Sequence, residues 1–212
     1  MSDRMLPIAA EGWGFILVPL ALAALLTWAG WIKTALGLAA LAAFMAFFFR
    51  DPERAAPTTP RAILAPADGK VMAVGPVADD PFVGPAQAVS IFLSPLDVHV
   101  NRSPLAGLVV GVEYRPGAKM AAYRAEASDR NERTSISIQA DGARVVVRQI
   151  AGVLARRIVC RVQPGDRLAS GQRFGLIKFG SRTDLIVPAT ARLQVQAGDR
   201  VRGGETVMGV LQ

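Results

Sequence analysis

Two stretches in the C-terminal third of the chain repeat one pattern. VQPGDRLASGQRF begins at Val162, and VQAGDRVRGGETV begins at Val195. Each copy runs from a β-prone start through a Gly-Asp turn, and then through a second glycine turn into another β-prone segment. Such turns are favourable hairpin chemistry. We therefore predict two β-hairpins related by an approximate twofold, and this repeat decides the predicted fold.

Short β-prone segments fill the rest of the chain after residue 62. KVMAV at 70–74, TSISIQ at 134–139 and DLIVP at 184–188 are examples. Segments of this length, separated by Gly, Pro, Asp and Asn, are typical of sandwiches and barrels. The predicted fold class is mainly β, with a barrel-sandwich-hybrid-like domain and pseudo-twofold hairpins. This domain follows an N-terminal hydrophobic helical membrane anchor.

The predicted anchor, residues 1–49, holds two apolar runs. Residues 12–32 carry no Lys, Arg, Asp or Glu and are long enough to cross a bilayer as a helix. Residues 34–49 are shorter and would need a tilted helix or a thinned bilayer. A cleaved signal peptide is disfavoured, because the second run follows at once and no small-residue cleavage site separates the two. We predict one or two hydrophobic helices.

Prolines and charges over residues 50–62 indicate a linker, and a β-rich domain is predicted over 63–212. Arg50, Arg54 and Arg61 directly follow the apolar runs. Positive charge beside a membrane span marks its cytoplasmic side. We therefore predict attachment to the cell inner membrane, with the folded domain in the cytoplasm.

The chain carries a formal net charge of +7. Its basic residues are scattered through strand-like segments and form no basic helix, which disfavours nucleic acid as a partner. An anionic lipid surface is the predicted partner, since each well-placed basic residue contributes roughly 1 kcal/mol there. The single cysteine, Cys160, excludes an intrachain disulfide and a thiolate metal site, and no metal site is predicted. We interpret Cys160 as a small buried apolar residue.

Three polar positions stand out because the packing of a β domain does not need them. They are Asp68 in APADGKV, His99 in SPLDVHVNRSP, and Gly180-Ser181 in LIKFGSRTDLIVP. Each also has a structural interpretation, as a turn aspartate, a core histidine and a strand bulge. Together, a carboxylate, an imidazole and a serine are the groups that activate a hydroxyl nucleophile. The G-x-S-x-G elbow of hydrolases is absent.

The carbonyl nearest to the Ser181 hydroxyl is that of Gly180. Glycine has no Cβ to shield its carbonyl and can adopt backbone angles that other residues avoid. Attack by the hydroxyl would move the acyl group from nitrogen to oxygen and give an ester. Elimination of the ester would cut the chain, and hydrolysis of the dehydroalanine with loss of ammonia would leave a pyruvoyl group. We predict self-cleavage between Gly180 and Ser181.

Seven motifs, in order from Phe49 to the end, resemble the phosphatidylserine decarboxylase proenzymes in their short bacterial and archaeal form. The resemblance implies cleavage into a β chain, 1–180, and an α chain, 181–212, which form a heterodimer. It leaves a higher homo-oligomer open. The motifs are FFRDPER, APADGKV, FLSPLDVHVNRSP, NERT, QIAGVLARRIVC, GQRFGLIKFGSRTDLIVP and GDRVRGGETV.

The resemblance also implies an activity in phospholipid biosynthesis. Asp68, His99 and Ser181 would form the self-processing triad, and Ser181 would become the covalent pyruvoyl cofactor. Phosphatidylserine in the membrane would form a Schiff base with that group, lose carbon dioxide and leave as phosphatidylethanolamine. His99 would protonate the product carbon, and Arg102 and Arg182 would hold the lipid phosphate or carboxylate.

The chain departs from the longer relatives at two motifs. They carry a second histidine three residues after the first, to which processing is assigned, whereas Arg102 stands here. They read Leu-Gly-Ser-Thr at the cleavage site, whereas this chain reads Phe179-Gly180-Ser181-Arg182. The second exchange leaves the scissile pair intact. The first leaves open whether His99 serves both proton transfers or another group supplies one.

Two alternatives remain. The paired Gly-Asp-Arg hairpins would also suit a membrane-anchored barrel-sandwich adaptor without catalysis, like the lipoyl and biotinyl carrier folds. No Met-Lys-Met tip of a carrier surrounds Lys70 or Lys178. The second alternative keeps the chemistry and changes the substrate to an archaeal-type serine ether lipid, because the tail contacts are not legible in the sequence.

Overall fold

A computed structural model of the chain describes residues 7–122, 124, 126–153, 157–178 and 180–212. The chain divides into two compact units, residues 1–53 and residues 54–212. Phe179 of the predicted cleavage motif lies outside the described residues.

The N-terminal unit contains two apolar helices that pack against each other. They are α1 (Trp13–Trp28), which follows one turn of 3-10 helix, and α2 (Ile32–Phe48). The helical segment from Ala10 to Trp28 is long and apolar enough to cross a membrane, and α2 is shorter. Both apolar runs are therefore helical, as predicted. Large apolar side chains on both helices are exposed within the unit, and they include Leu17, Leu25, Trp28, Ile32 and Leu36.

The second unit is mainly β, as predicted, with fourteen strands and one short helix, α3 (Ala127–Arg130), among its described residues. The helix lies within residues 117–130, a stretch that lacks the β-prone pattern of the rest of the domain. The strands are β1 (Ala62–Leu64), β2 (Gly69–Asp80), β3 (Gly84–Leu93), β4 (Val100–Arg102), β5 (Gly107–Arg115), β6 (Arg133–Ala140), β7 (Ala143–Ala151), β8 (Ile158–Cys160), β9 (Arg167–Leu168), β10 (Arg173–Ile177), β11 (Ser181–Pro188), β12 (Arg192–Leu193), β13 (Arg200–Val201) and β14 (Val207–Val210).

An approximate twofold relates two halves of this domain. The eight-stranded sheet has the order β13-β2-β3-β11-β7-β6-β5-β9, and two three-stranded sheets have the matching orders β1-β14-β12 and β4-β10-β8. The twofold passes between Leu185 and Val147, which pair with each other across β11 and β7. We call residues 61–93 with 181–211 the split half, and residues 99–177 the continuous half.

The repeated segments are the outermost part of this symmetry, and their predicted twofold relation is confirmed. They are not simple hairpins, because β9 pairs with β5 and β13 pairs with β2, while β8, β10, β12 and β14 lie in the three-stranded sheets. In the continuous half the Gln163 N–H donates to Asp166 at 2.9 Å, and in the split half the Gln196 N–H donates to Asp199 at 2.8 Å. These two hydrogen bonds join equivalent atoms and close the two Gly-Asp turns in the same way. The symmetry extends beyond the repeat to nearly every strand of the domain.

The domain core lies between the sheets and is apolar. Alternate residues of β3, β6, β7 and β11 face it, because side chains alternate between the faces of a strand. Phe174 and Met208 occupy equivalent bulges in the two halves, and both are fully buried. Cys160 packs against this core, and burial raises the pKa of its thiol. Cys160 therefore packs as an apolar residue, as interpreted, but it is half-buried at the edge of the core and not fully buried.

Candidate functional site

Ser181 is the first residue of the central strand β11. It pairs with Leu93 of β3 on one side and with Ala151 of β7 on the other. The residue is fully buried, and its Oγ has no hydrogen-bond partner among the described residues. Buried hydroxyls are nearly always hydrogen-bonded, so an exception of this kind points to a catalytic role or to an absent ligand.

Gly180 precedes the strand in a left-handed conformation, with φ +67°. Few residues other than glycine adopt this conformation readily. Its carbonyl oxygen lies against the backbone of Gly152, since a Cβ built on Gly152 would lie only 2.2 Å from that oxygen. The carbonyl that Ser181 would attack is therefore held at one place, at the end of β7.

His99 lies one residue before β4 and is 2% exposed. Its Nδ1 is 2.9 Å from the Asp97 carbonyl oxygen. A carbonyl only accepts, so Nδ1 carries the proton and donates, which leaves the lone pair of the neutral ring on Nε2. The His99 carbonyl accepts from the Ile177 N–H, and Ile177 packs against Ala151, the pairing partner of Ser181. The structure thus places His99 and Ser181 at the same end of the domain.

A buried, uncharged polar network continues from this point. The Asn101 Nδ2 donates to Thr183 Oγ1 at 3.0 Å, and the Gln149 Nε2 donates to Asn101 Oδ1 at 2.8 Å. All three residues are fully buried, and Gln149 Oε1 has no hydrogen-bond partner among the described residues. Thr183 shares the inward face of β11 with Ser181, because alternate residues of a strand point the same way. The network therefore lines the inward side of the candidate site.

Asp68 lies directly before β2 and is 9% exposed. Arg54 donates to both carboxylate oxygens, from Nη1 at 2.5 Å and from Nη2 at 2.8 Å, and the Gly203 N–H donates to Oδ1 at 2.8 Å. Arg54 also donates to the Gly203 carbonyl at 2.6 Å. These bonds join Asp68 to Arg54 and Gly203, and none of them reaches His99 or Ser181. The role of Asp68 in a processing triad stays a prediction.

The pairing with Asp68 bears on the predicted lipid contacts. The side chain of Arg54 is only 7% exposed. The Arg54 side chain is therefore buried in an ion pair of the β domain and does not present its charge to lipid headgroups.

Arg102 and Arg182, the two predicted substrate contacts, lie on different sides of the site. Arg102 is buried and donates to the Gly171 carbonyl at 3.3 Å, beneath the turn at Gly204. Arg182 follows Ser181 on the strand and faces the opposite side of the sheet, where it donates to Asp184 at 2.6 Å. Both arginines thus have protein partners, and their contact with a substrate stays a prediction.

The outward face of β11 borders a polar cavity of about 420 Å³. Arg182 donates there to Ser90 Oγ at 2.7 Å, and Arg148 pairs with Asp80 at 3.0 Å. Both arginines of this cavity are thus paired with carboxylates, and Asp79 adds a third carboxylate to the lining. Strand alternation separates Arg182 and Asp184 from Ser181.

Comparison of the sequence with known proteins shows the family to which this chain belongs. The phosphatidylserine decarboxylase family model matches residues 41–209. The chain belongs to the phosphatidylserine decarboxylase family. The resemblance drawn from the seven motifs is therefore confirmed, and the chain is an enzyme of the decarboxylase class.

Close relatives cover nearly the whole chain. A Symbiobacterium thermophilum protein named phosphatidylserine decarboxylase proenzyme is 50% identical over 214 residues, which cover 100% of this chain and 99% of the relative. A Mycobacterium tuberculosis protein of the same name is 48% identical over 207 residues, covering 95% and 89%. One from Chlorobium phaeobacteroides is 46% identical over 173 residues, covering 81% of each chain.

Sequence reasoning missed four residues that line the candidate site or contact a predicted site residue. Arg54 and Gly152 stand inside motifs that carry the family resemblance, FFRDPER and QIAGVLARRIVC, so a signal for them was present. Asn101 also lies in such a motif, next to Arg102. Gln149 begins QIAGVLARRIVC, but nothing local distinguishes a glutamine that points into the core from one at the surface.

Proposed function

We propose that this chain is a proenzyme that cleaves itself between Gly180 and Ser181, and that it then converts phosphatidylserine to phosphatidylethanolamine in phospholipid biosynthesis. The observation that carries the proposal is the scissile pair in a member of this family. A left-handed glycine with its carbonyl held against Gly152 precedes a buried serine whose Oγ has no hydrogen-bond partner among the described residues.

Self-cleavage would begin with the Ser181 hydroxyl. Its proton passes to His99 Nε2, the ring nitrogen that carries the lone pair when Nδ1–H donates to Asp97. The oxygen adds to the Gly180 carbonyl carbon, and the C–N bond breaks as the nitrogen takes up a proton, which leaves an ester. This is the usual logic of a hydroxyl activated by an imidazole base.

The ester bond then breaks by β-elimination. A base removes the Ser181 Cα proton, and the Gly180 carboxylate departs from Cβ. The resulting dehydroalanine tautomerises, takes up one water and loses ammonia, so residue 181 becomes a pyruvoyl group. No oxidant is needed, because the elimination and hydrolysis balance without one.

The surroundings of Ser181 fit a pyruvoyl group. Thr183, Asn101 and Gln149 offer a buried lining with hydrogen-bond capacity and no charge, and Gln149 Oε1 is unpartnered among the described residues. Once formed, the pyruvoyl group would supply the electron-withdrawing ketone that decarboxylation of an amino acid requires. His99 would deliver a proton from Nε2 to the substrate carbon that has lost its carboxylate.

The processed chains would stay together as an α–β heterodimer. Strand β11 begins the α chain and lies between β3 and β7 of the β chain. Gly203 of the α chain is held by Arg54 and Asp68 of the β chain. We further propose attachment to the cytoplasmic face of the inner membrane. The length and exposed apolar side chains of the helical segment Ala10–Trp28 support membrane attachment, and the arginines that follow α2 in the sequence support the cytoplasmic side.

A Ser181→Ala substitution tests the proposal, with Ser137→Ala on β6 as the matched sheet control. Denaturing mass spectrometry of the wild type and of the control should show two fragments. One ends at Gly180, and the other begins with a blocked residue 181. Ser181→Ala should remain one chain and release no carbon dioxide from phosphatidylserine vesicles. A single intact wild-type chain with full turnover would refute the proposal, and an intact chain without turnover would favour the adaptor.

The lipid tails are tested separately. Vesicles that carry diacyl phosphatidylserine and vesicles that carry an ether-linked serine lipid share the headgroup and differ in the tails. We expect faster release of carbon dioxide from the diacyl lipid. Equal rates would assign a serine phospholipid of either tail type as the substrate. A faster reaction with the ether lipid would assign the ether lipid.

A further inference from the structure

We infer that Gly152 is a positioning residue for self-cleavage, because its missing side chain leaves the space in which the Gly180 carbonyl is held for attack. The inference rests on the proposed self-cleavage and adds a residue to which nothing so far assigns a role. Gly152 touches the carbonyl and supplies no reacting atom.

The contact is closer than any side chain allows. A Cβ on Gly152 would lie 2.2 Å from the Gly180 oxygen and 3.1 Å from its carbonyl carbon. Real Cβ atoms essentially never come within 3.0 Å of a neighbour. Even the methyl group of alanine would therefore have to push the scissile carbonyl away, or move the end of β7 away from it.

The requirement at Gly152 is one of space and not of backbone conformation. Gly152 is not among the glycines with positive φ, so an alanine can adopt its backbone angles. Gly180 is different, because its φ of +67° lies in the left-handed region. A substitution at 152 therefore tests the position of the carbonyl without straining the residue that is substituted.

The twofold supplies an internal comparison. Ala151 and Ala189 are equivalent, since each donates its N–H at 2.9 Å to a residue at the start of the matching strand, Glu132 directly before β6 or Pro85, the second residue of β3. The next residue is Gly152 in one half and Thr190 in the other. A β-branched residue therefore follows the equivalent alanine where no bond is to be cut, in a connection that is shorter, since β12 begins at Arg192 and β8 only at Ile158.

Attack on a carbonyl depends strongly on geometry. Displacing a reacting group by about 1 Å can lower a rate by about 100-fold. Relief of the contact from 2.2 Å to 3.0 Å demands a shift approaching that size. We therefore expect Gly152→Ala to slow self-cleavage by about 100-fold.

The experiment follows processing directly and does not depend on decarboxylase activity. The full chain is made by pulse-labelled cell-free translation, and the loss of intact chain is followed over time on denaturing gels. Gly152→Ala is compared with Gly75→Ala, where a Cβ meets nothing within 4 Å, and with Gly111→Ala, where the nearest atom is 3.6 Å away. Both controls should process at the wild-type rate.

A second pair of variants separates positioning from folding. Ser181→Ala and Gly152→Ala/Ser181→Ala are both expected to stay uncut, so a difference in their thermal midpoints measures the structural cost of the methyl group alone. We expect both to fold with cooperative transitions. If the double variant fails to fold while Ser181→Ala folds, Gly152 serves folding and the inference is overturned.

The outcomes also separate this inference from the proposal beneath it. If the wild type is cut and Gly152→Ala is cut at the same rate, only the positioning role of Gly152 fails. If the wild type itself is never cut, the proposed function fails.

Discussion

The domain contains two places with one backbone geometry, the Ser181 site and its symmetry counterpart around Ala143. Gly180 and Gly142 precede these residues, with φ values of +67° and +76°. Ser181 pairs with Leu93 as Ala143 pairs with Ala140. The counterpart lies beside a cavity of about 300 Å³ that is lined in part by Arg61, Ala106 and Asp141.

The side chains of the two sites differ at nearly every position. Ala143 replaces Ser181, Val145 replaces Thr183, Val187 replaces Gln149, Ile63 replaces Asn101, Ala106 replaces Asp68, and Arg61 replaces His99. Burying polar groups costs free energy unless each finds a partner. Since the fold forms with apolar residues at five of these six counterpart positions, Arg61 being the exception, folding alone does not explain the polar set. This contrast is the physical reason to assign the set to chemistry.

The twofold also relates His99 to Arg61, but their side chains differ in direction. The His99 carbonyl accepts from Ile177 at 3.2 Å, and the Arg61 carbonyl accepts from Leu211 at 3.0 Å, so the two residues are equivalent. The Arg61 Nη2 lies 3.7 Å from a Cβ built on Gly142, the counterpart of Gly180. The His99 side chain makes no such approach, since a Cβ built on Gly180 meets nothing within 4 Å, and Arg61 has a left-handed φ of +55° that His99 does not share.

The largest expected effect comes from replacing Asp68 by alanine, the residue that stands at its counterpart position, Ala106. Asp68→Ala leaves the buried Arg54 guanidinium without its carboxylate, and breaking such a pair costs about 3–5 kcal/mol of unfolding free energy. Denaturant unfolding in the uncut Ser181→Ala background measures this loss. The reverse exchange, Ala106→Asp at an exposed position, should change stability by less than about 0.5 kcal/mol. Similar losses in both variants would contradict the asymmetry.

The Asn101–Gln149 pair should separate stability from processing. Asn101→Ile leaves the Gln149 amide without its main acceptor, which costs about 1–3 kcal/mol. Adding Gln149→Val copies the counterpart pair, Ile63 and Val187, and should recover part of that loss, because no buried amide remains unpaired. Self-cleavage should stay slow in the double variant. Unfolding in the Ser181→Ala background and fragment formation without it provide the two readouts.

A double variant that loses the sum of both single costs would show that the pair serves stability. A double variant that processes at the wild-type rate would remove the network from the site. Either result would weaken the interpretation that the Ala143 region, with Ile63 and Val187, keeps the same fold without a catalytic role.

The smallest expected effect is at the two Gly-Asp turns, where the halves are alike. Asp166→Ala and Asp199→Ala each remove one side-chain acceptor from a backbone N–H, at a cost of about 0.5–1.5 kcal/mol. The two losses should agree closely, and both variants should process normally. Unequal losses would show that the turns are less equivalent than their hydrogen bonds of 2.9 Å and 2.8 Å indicate.

The sequence alone determined the features that depend on local chemistry. Two apolar runs became helices and the Gly-Asp repeats became matching turns, and the Gly180-Ser181 pair carries the prediction of self-cleavage. These signals are legible because hydrophobic periodicity, turn residues and short motifs act over neighbouring positions.

Only the tertiary structure decided which distant residues meet. It paired Arg54 with Asp68 and Gly203, set Gly152 against the Gly180 carbonyl, and turned Arg182 to the face opposite Ser181. The twofold is likewise visible beyond the repeat only in the strand registers. The physical reason is that register and strand neighbours depend on packing of the whole core, and a shift of one residue moves every side chain to the other face.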